Sequence, residues 1–225
     1  VFSLFSGSKQ TNQRRKAPRG SFRPAMESLE SRRNCALAVG MDQGALMIVG
    51  DGDDDIVRVR EQGDKVQVAV AVPGQPLIYR DVADYSQVRA IIFKGGSGDD
   101  HFINRTNLPL RAEGGAGNDT IYGGIDGRAE IFGGGGNDTL IGKKAGHKIA
   151  GGEDDDLLFG LEGNDVLIGG PGKDDLHGYE GPDLLFGGPG SDHLVGGPDP
   201  DFLDGGRDFT PDYLSGEWRT EVADN

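Results

Sequence analysis

The sequence has little of what most folded chains lean on. One cysteine, Cys35, stands among 225 residues, so no internal disulfide can form. It follows Arg32, Arg33 and Asn34 instead of the small apolar run of a lipid-attachment site, and is read as an incidental thiol. No apolar run approaches the roughly 18 residues that a membrane helix needs, so no membrane-spanning segment is predicted. The opening VFSLF is too short for the core of a secretion signal, and Arg14-Arg15 leads into Lys16, Ala17 and Pro18 instead of an apolar stretch. A nucleophile elbow, a phosphate loop and a paired acid–base constellation are all missing, which predicts a chain that is not an enzyme. His101, His147, His177 and His193 are scattered, without metal-site spacing on a helix, and are expected at the surface.

Basic residues are scarce everywhere except at the start. The formal net charge is −14, yet residues 1–35 carry +6 and residues 36–225 carry −20. An acidic body of that kind excludes nucleic acid and calls for cations. The basic leader, 1–40, is predicted to be disordered, apart from a short helix over 25–38. That stretch resembles the Leu-Glu-Pro-Arg motif near the N-terminus of some bacterial surface proteins. Leu29, Glu30 and Arg32 match it, and Ser31 replaces the proline. The resemblance implies export.

Residues 41–94 alternate with a period of two. In IVRVREQGDKVQVAV, Val57, Val59, Val66, Val68 and Val70 fall on one face around a turn at Gln62-Gly63-Asp64, which predicts a hairpin. QPLIYRDV and VRAIIF add two strands. This region is expected to cap a repeat array on its C-terminal side.

What is abundant is glycine, 40 residues, concentrated after residue 94. It comes in register. GGSGDDHFI starts at Gly95, GGAGNDTIY at Gly114, GGGGNDTLI at Gly133, GGEDDDLLF at Gly151 and GLEGNDVLI at Gly160. GGPGKDDLH, GYEGPDLLF, GGPGSDHLV and GGPDPDFLD start at Gly169, Gly178, Gly187 and Gly196. The shared form is G-G-x-G-x-D-x-U-x, with U a large apolar residue. Glycines permit tight turns with exposed carbonyls. The aspartate supplies a carboxylate, and U points inward from a short strand. Two nonapeptides make one coil of a parallel β-helix, so coils stack about 4.8 Å apart.

Stacking brings like charges together. At about 5 Å and an effective dielectric of 20, each neighbouring pair of aspartates repels by roughly 3 kcal/mol. A few such pairs match the roughly 5–15 kcal/mol by which a domain is stable. A cation between the turns is therefore required. Carboxylates and glycine carbonyls are hard oxygen donors, suited to Ca2+ with six to eight ligands at about 2.3–2.6 Å.

These blocks resemble the RTX, or haemolysin-type, calcium-binding nonapeptide repeat. The resemblance implies an all-β parallel β-roll over 95–206, several Ca2+ ions, secretion into calcium-rich surroundings and folding on metal binding. Alternate blocks share an edge of the roll. The candidate ligands on the first edge are Gly95, Gly96, Gly98 and Asp100; Gly114, Gly115, Gly117, Asn118 and Asp119; Gly133, Gly134, Gly136, Asn137 and Asp138; Gly151, Gly152, Asp154 and Asp156; Gly169, Gly170, Gly172 and Asp174; and Gly187, Gly188, Gly190 and Asp192. On the second edge they are Gly163, Asn164 and Asp165; Gly181 and Asp183; and Gly196, Gly197, Asp199 and Asp201. The earlier second-edge blocks, 104–113, 123–132 and 142–150, are degenerate. In the last of them, GKKAGHKIA, His147 stands where the aspartate belongs and Ile149 keeps the inward place. Lys143, Lys144 and Lys148 are expected to take over part of the cation's role there. Asp53–Asp55 offer a further first turn, in an ambiguous register. At Gly205 the block has Thr210 in place of aspartate, so the array is expected to end there, with 207–225 as a C-terminal cap or tail.

The leading expectation is a secreted or cell-surface Ca2+-binding roll with a structural, adhesive or ion-triggered folding role. The alternatives are an accessory module for a separate secreted enzyme, and an adhesin for surface polysaccharide.

Overall fold

The structure is a computed structural model that describes residues 27–28, 37–71, 76–206 and 211–216. Most of the basic leader with its Leu-Glu-Pro-Arg-like motif, Thr210 and the end of the chain from 217 lie outside the described residues. The short helix expected over 25–38 is not what its described residues form: Glu27–Ser28 is a strand, antiparallel to Ala38–Val39.

Two ten-stranded sheets share one core. The first runs Glu27–Ser28, Ala38–Asp42, Ala45–Val49, Ala90–Ser97, Leu110–Ala116, Ala129–Gly135, Lys148–Glu153, Val166–Ile168, Leu184–Phe186 and Phe202–Asp204. The second runs Tyr79–Asp84, Lys65–Val70, Ile56–Gln62, His101–Arg105, Thr120–Tyr122, Thr139–Lys143, Leu157–Glu162, Asp175–Glu180, His193–Val195 and Tyr213–Ser215. The chain passes alternately from one sheet to the other, so each pair of strands and its two turns is one coil of a β-roll.

Successive coils pair in parallel with their repeat positions aligned. Thr139 lies beside Leu157, Leu157 beside Asp175, and Asp175 beside His193. The apolar residue of each nonapeptide therefore forms a column. Phe102, Ile121, Leu140, Leu158, Leu176 and Leu194 make one, and Ile131, Ile149, Leu167, Leu185 and Leu203 the other. All are at most 1% exposed. With one such residue per strand the core is narrow, and its depth comes from repetition.

Parallel stacking starts ahead of the nonapeptides. Ala45–Val49 pairs with Ala90–Ser97, and Ile56–Gln62 pairs with His101–Arg105. Between these two half-coils and the next, the chain inserts an antiparallel meander: Lys65–Val70 on Ile56–Gln62, then Tyr79–Asp84 on Lys65–Val70. Val57, Val59, Val66 and Val68 are buried and join the same core. Antiparallel strands thus end both sheets on their N-terminal side.

Replacing Leu158 with alanine removes one layer of the column and is expected to lower the stability of the metal-loaded protein by about 2–5 kcal/mol in a denaturant melt. Leu184→Ala, on the outer face at 43% exposure, is expected to change it by less than about 0.5 kcal/mol.

Candidate metal centres in the turns

Each motif turn links a strand of one sheet to a strand of the other, and its aspartate folds back into the turn. On the first edge Oδ1 of each aspartate accepts the backbone N–H of the aspartate one coil earlier. Asp100 takes Asp55 at 2.8 Å, Asp119 takes Asp100 at 2.8 Å, Asp138 takes Asp119 at 2.7 Å and Asp156 takes Asp138 at 2.8 Å. Asp174 and Asp192 continue the ladder, at 2.9 Å each. On the second edge Asp165 accepts from His147 at 2.6 Å, Asp183 from Asp165 at 2.7 Å and Asp201 from Asp183 at 2.9 Å.

The second carboxylate oxygen is treated differently. Oδ2 of Asp100, Asp119, Asp138, Asp156, Asp174, Asp165, Asp183 and Asp201 is buried and makes no hydrogen bond. Leaving such a group unpaired away from water costs about 1–3 kcal/mol, and more when it is charged. It lies against the first glycine of its own turn. A Cβ on Gly133 would overlap Asp138 Oδ2 and come within 2.6 Å of the Gly151 carbonyl of the next coil. The same pair of oxygens meets at Gly169, from Asp174 and Gly187, and at Gly178, from Asp183 and Gly196. Glycine at position one thus keeps open a space that a carboxylate and a neighbouring carbonyl both face. Glycine at position two answers to the backbone: Gly134 has φ 132°, and a Cβ there would fall on the Gly115 carbonyl oxygen.

Burial raises the aspartates, and neighbouring aspartates in the stack add to it in most of them, although the amide bond to Oδ1 works the other way. Asp100, Asp138, Asp156, Asp174 and Asp183 are pushed up to about 7, and Asp119 and Asp165 to about 6. Hard oxygen donors, one lone carboxylate oxygen per turn and a like-charged column fit a divalent cation of the Ca2+ type seated between coils.

The ladder is longer than the nonapeptide register suggests. Asp55 is fully buried, its Oδ1 and Oδ2 make no hydrogen bond, and a Cβ on Gly50 would overlap its Oδ2 and the Gly95 carbonyl. Of the three acids left in ambiguous register, Asp55 is the one in the ladder. It too is raised, to about 6, by burial and then by the nearby charge of Asp51. At the other end, the expectation that the array stops at Gly205 is corrected. Asp212 accepts the Asp192 N–H at 2.9 Å, a Cβ on Gly205 would overlap its Oδ2, and Tyr213–Ser215 pairs with His193–Val195. Two extra residues shift this aspartate from position six to position eight and hide it from a strict nine-residue count.

Position five serves another purpose. Oδ1 of Asn118 accepts the Asn137 N–H at 2.8 Å, and Oδ1 of Asn137 accepts the Asp155 N–H at 3.2 Å. These exposed side chains tie coil to coil. Among the position-four residues, Asp154 Oδ2 accepts from Gly136 N–H at 3.1 Å and Asp199 Oδ2 from Gly181 N–H at 2.8 Å.

The degenerate second-edge turns use neutral groups. Asn104 Oδ1 accepts from Thr106 N–H at 2.9 Å and from its hydroxyl at 2.8 Å, and Thr106 Oγ1 accepts from Leu108 N–H at 3.2 Å. His147, expected at the surface, is 3% exposed and takes the aspartate's place in the ladder. The amides of Ala129 and Lys143 point at its ring, 3.0 Å from Nδ1 and 2.9 Å from Nε2. A protonated ring could accept neither, and a neutral one accepts one. Burial, with Arg128 nearby, lowers His147 to about 4, so the imidazole that replaces the carboxylate is neutral at neutral pH. The expected service of the lysines shrinks accordingly. Lys144 reaches Glu162 at 3.8 Å across the surface, a contact worth little, and the charge is relieved by the loss of the carboxylate. His177 and His193 are not scattered either: both meet Asp175. The signal was in the sequence, because a step of 18 residues places His193 beside Asp175.

Two sheets of stacked parallel strands joined by glycine turns with inward carboxylates define a parallel β-roll. Residues 111–140, 130–144, 150–185 and 186–208 match the family model of the RTX calcium-binding nonapeptide repeat, in four copies. This stretch is an RTX repeat array, and such repeats bind several Ca2+ ions. Neither the curated proteins nor the solved structures contain a significant match. Among the described residues no helix is long and apolar enough to cross a membrane.

Aspartates that titrate near 6 or 7 in the roll and near the ordinary 3.8 when unfolded take up protons in the folded state first. Acidification from about pH 8 to about pH 5 therefore favours the metal-free fold. His147 opposes this below its ordinary 6.5, but it is one group against the whole ladder. In EDTA the β signal in circular dichroism is expected to rise over that window, while Ca2+ affinity falls as protons compete.

Proposed function

We propose that the chain is an exported, calcium-triggered folding module without a catalytic site. The observation that carries this is the row of buried, hydrogen-bond-free Oδ2 atoms, each against the first glycine of its turn, with a glycine carbonyl of the next coil beside those of Asp100, Asp138, Asp174 and Asp183. Without a cation, each added coil brings one more desolvated carboxylate close to the last, and the narrow core has one apolar residue per strand to set against it. With a cation between coils the same carboxylate becomes the strongest contact in the turn. Binding and coil formation are then one step.

The ligand set we infer is the position-six aspartate of one coil with turn carbonyls of that coil and the next. On the first edge Asp55, Asp100, Asp119, Asp138, Asp156, Asp174, Asp192 and Asp212 form an unbroken series, which leaves seven gaps between coils. On the second edge Asp165, Asp183 and Asp201 leave two. The turn at His147 holds no ion.

Export fits a calcium-triggered fold. Extracellular calcium modules bind Ca2+ at about 10⁻⁴–10⁻³ M, far above cytosolic calcium, so a roll in that range would close only outside the cell. Each site filled at about 100 times its dissociation constant adds roughly 2.7 kcal/mol, so several together decide whether the roll exists. The chain would stay open during transit and close outside. A structural role at or beyond the cell surface follows from that switch. Partners such as a surface polysaccharide or a separate secreted protein would engage the outer faces of the sheets.

Titrating the metal-free protein at neutral pH with Ca2+ and, separately, with Mg2+ tests this by circular dichroism. A steep gain of β signal with Ca2+ at sub-millimolar to millimolar concentration, reversed by EDTA and weak with Mg2+, is expected. A spectrum that is β-rich without metal and indifferent to Ca2+ would overturn the proposal.

A further inference from the structure

The outer face of the second sheet carries a cluster of metal-ligating side chains apart from the turns. Asp175 opens the strand Asp175–Glu180, and His177, two residues on, lies on the same face. His193, on the next coil, is the direct parallel partner of Asp175. The three side chains meet above the sheet. Asp175 Oδ1 lies 2.8 Å from His177 Nε2 and 2.8 Å from His193 Nδ1, and the three donor atoms are all within 4.8 Å of one another. Aromatic neighbours fix the rings. His177 stacks on Phe159 at 5.2 Å, and His193 packs on Tyr213 at 4.9 Å. The side chains are half-buried, at 22%, 39% and 44% exposure for His177, His193 and Asp175, so one side of the cluster opens to solvent.

We infer that Asp175, His177 and His193 form a site for one divalent transition-metal ion, zinc first, separate from the calcium turns. Two imidazole nitrogens and one carboxylate oxygen on adjacent strands supply three ligands from one side. Water takes the remaining positions of a tetrahedral or five-coordinate ion. The chemistry separates this site from the ladder. The turns offer oxygen alone, which suits Ca2+, whereas imidazole favours zinc and its neighbours in the series. Asp174 and Asp175 are adjacent yet divided between the two: Asp174 folds into the turn, and Asp175 stands on the outer face. An ion here links two successive coils near the C-terminal end of the roll, outside its core, and reinforces their pairing.

The test is a zinc titration of the full chain by calorimetry, in excess Ca2+ so that the turns are filled. One zinc equivalent per chain that survives the calcium excess is expected, with a rise in melting temperature. His193→Gln and Asp175→Asn are each expected to weaken zinc binding by about tenfold or more, and His101→Gln to leave it unchanged. In the unsubstituted protein, zinc should shift the imidazole NMR signals of His177 and His193 and leave those of His101 in place, a readout that does not depend on any variant folding. Zinc that fails to bind in excess Ca2+, that binds His193→Gln as well as the parent, or that moves the His101 ring instead would overturn the inference.

Discussion

Between successive coils, one oxygen of each position-six carboxylate is held by an amide of the coil before, and the other lies against the first glycine of its own turn. That second oxygen governs the rest. It explains why position one is glycine, because a side chain would occupy the same space. It explains why the carboxylates are pushed up toward neutral pH, since burial and stacked like charge both oppose ionisation. And it sets the cost that a narrow core, with one apolar residue per strand, has to meet.

The two edges show what happens when that constraint is met in other ways. On the first edge the carboxylates run unbroken from Asp55 to Asp212. On the second, the chain closes its early turns with uncharged groups, Asn104 with Thr106 and then His147, before switching to Asp165, Asp183 and Asp201. His147 preserves the hydrogen bond that the carboxylate would make and discards its charge. The early coils thus place ladder carboxylates on one edge alone, and the later ones on both. They also abut the antiparallel meander, which has valines of its own to bury.

Much of this was legible because the nonapeptide encodes it position by position. Glycine pairs, the aspartate and the apolar residue fix turn, charge and inward column, and alternate blocks fall on opposite edges as counting implies. The hidden parts lie where the count breaks. Asp55 is separated from Asp100 by an inserted meander, so the register could not be carried across. Asp212 is displaced by two residues. His147 looked like a surface histidine because a polar residue in an irregular block gives no sign of burial; its place is set by the aspartates stacked beside it. Asp175 and His193 are 18 residues apart, and their meeting needs the stacking register in addition to the motif. Glu27–Ser28 became a strand where a helix was expected because Ala38–Asp42 offered it an edge.

The ladder's charge, more than its hydrogen bonds, should keep the metal-free chain open. Asparagine is nearly the same shape as aspartate and can still accept the amide through Oδ1, but it carries no charge. The most direct measurement is therefore the β content in EDTA of a variant with Asp119, Asp138, Asp156 and Asp174 all replaced by asparagine. Such a variant is expected to fold without Ca2+ at neutral pH, where the parent does not, and to bind fewer ions. A variant as unfolded in EDTA as the parent would contradict the electrostatic origin of the calcium requirement.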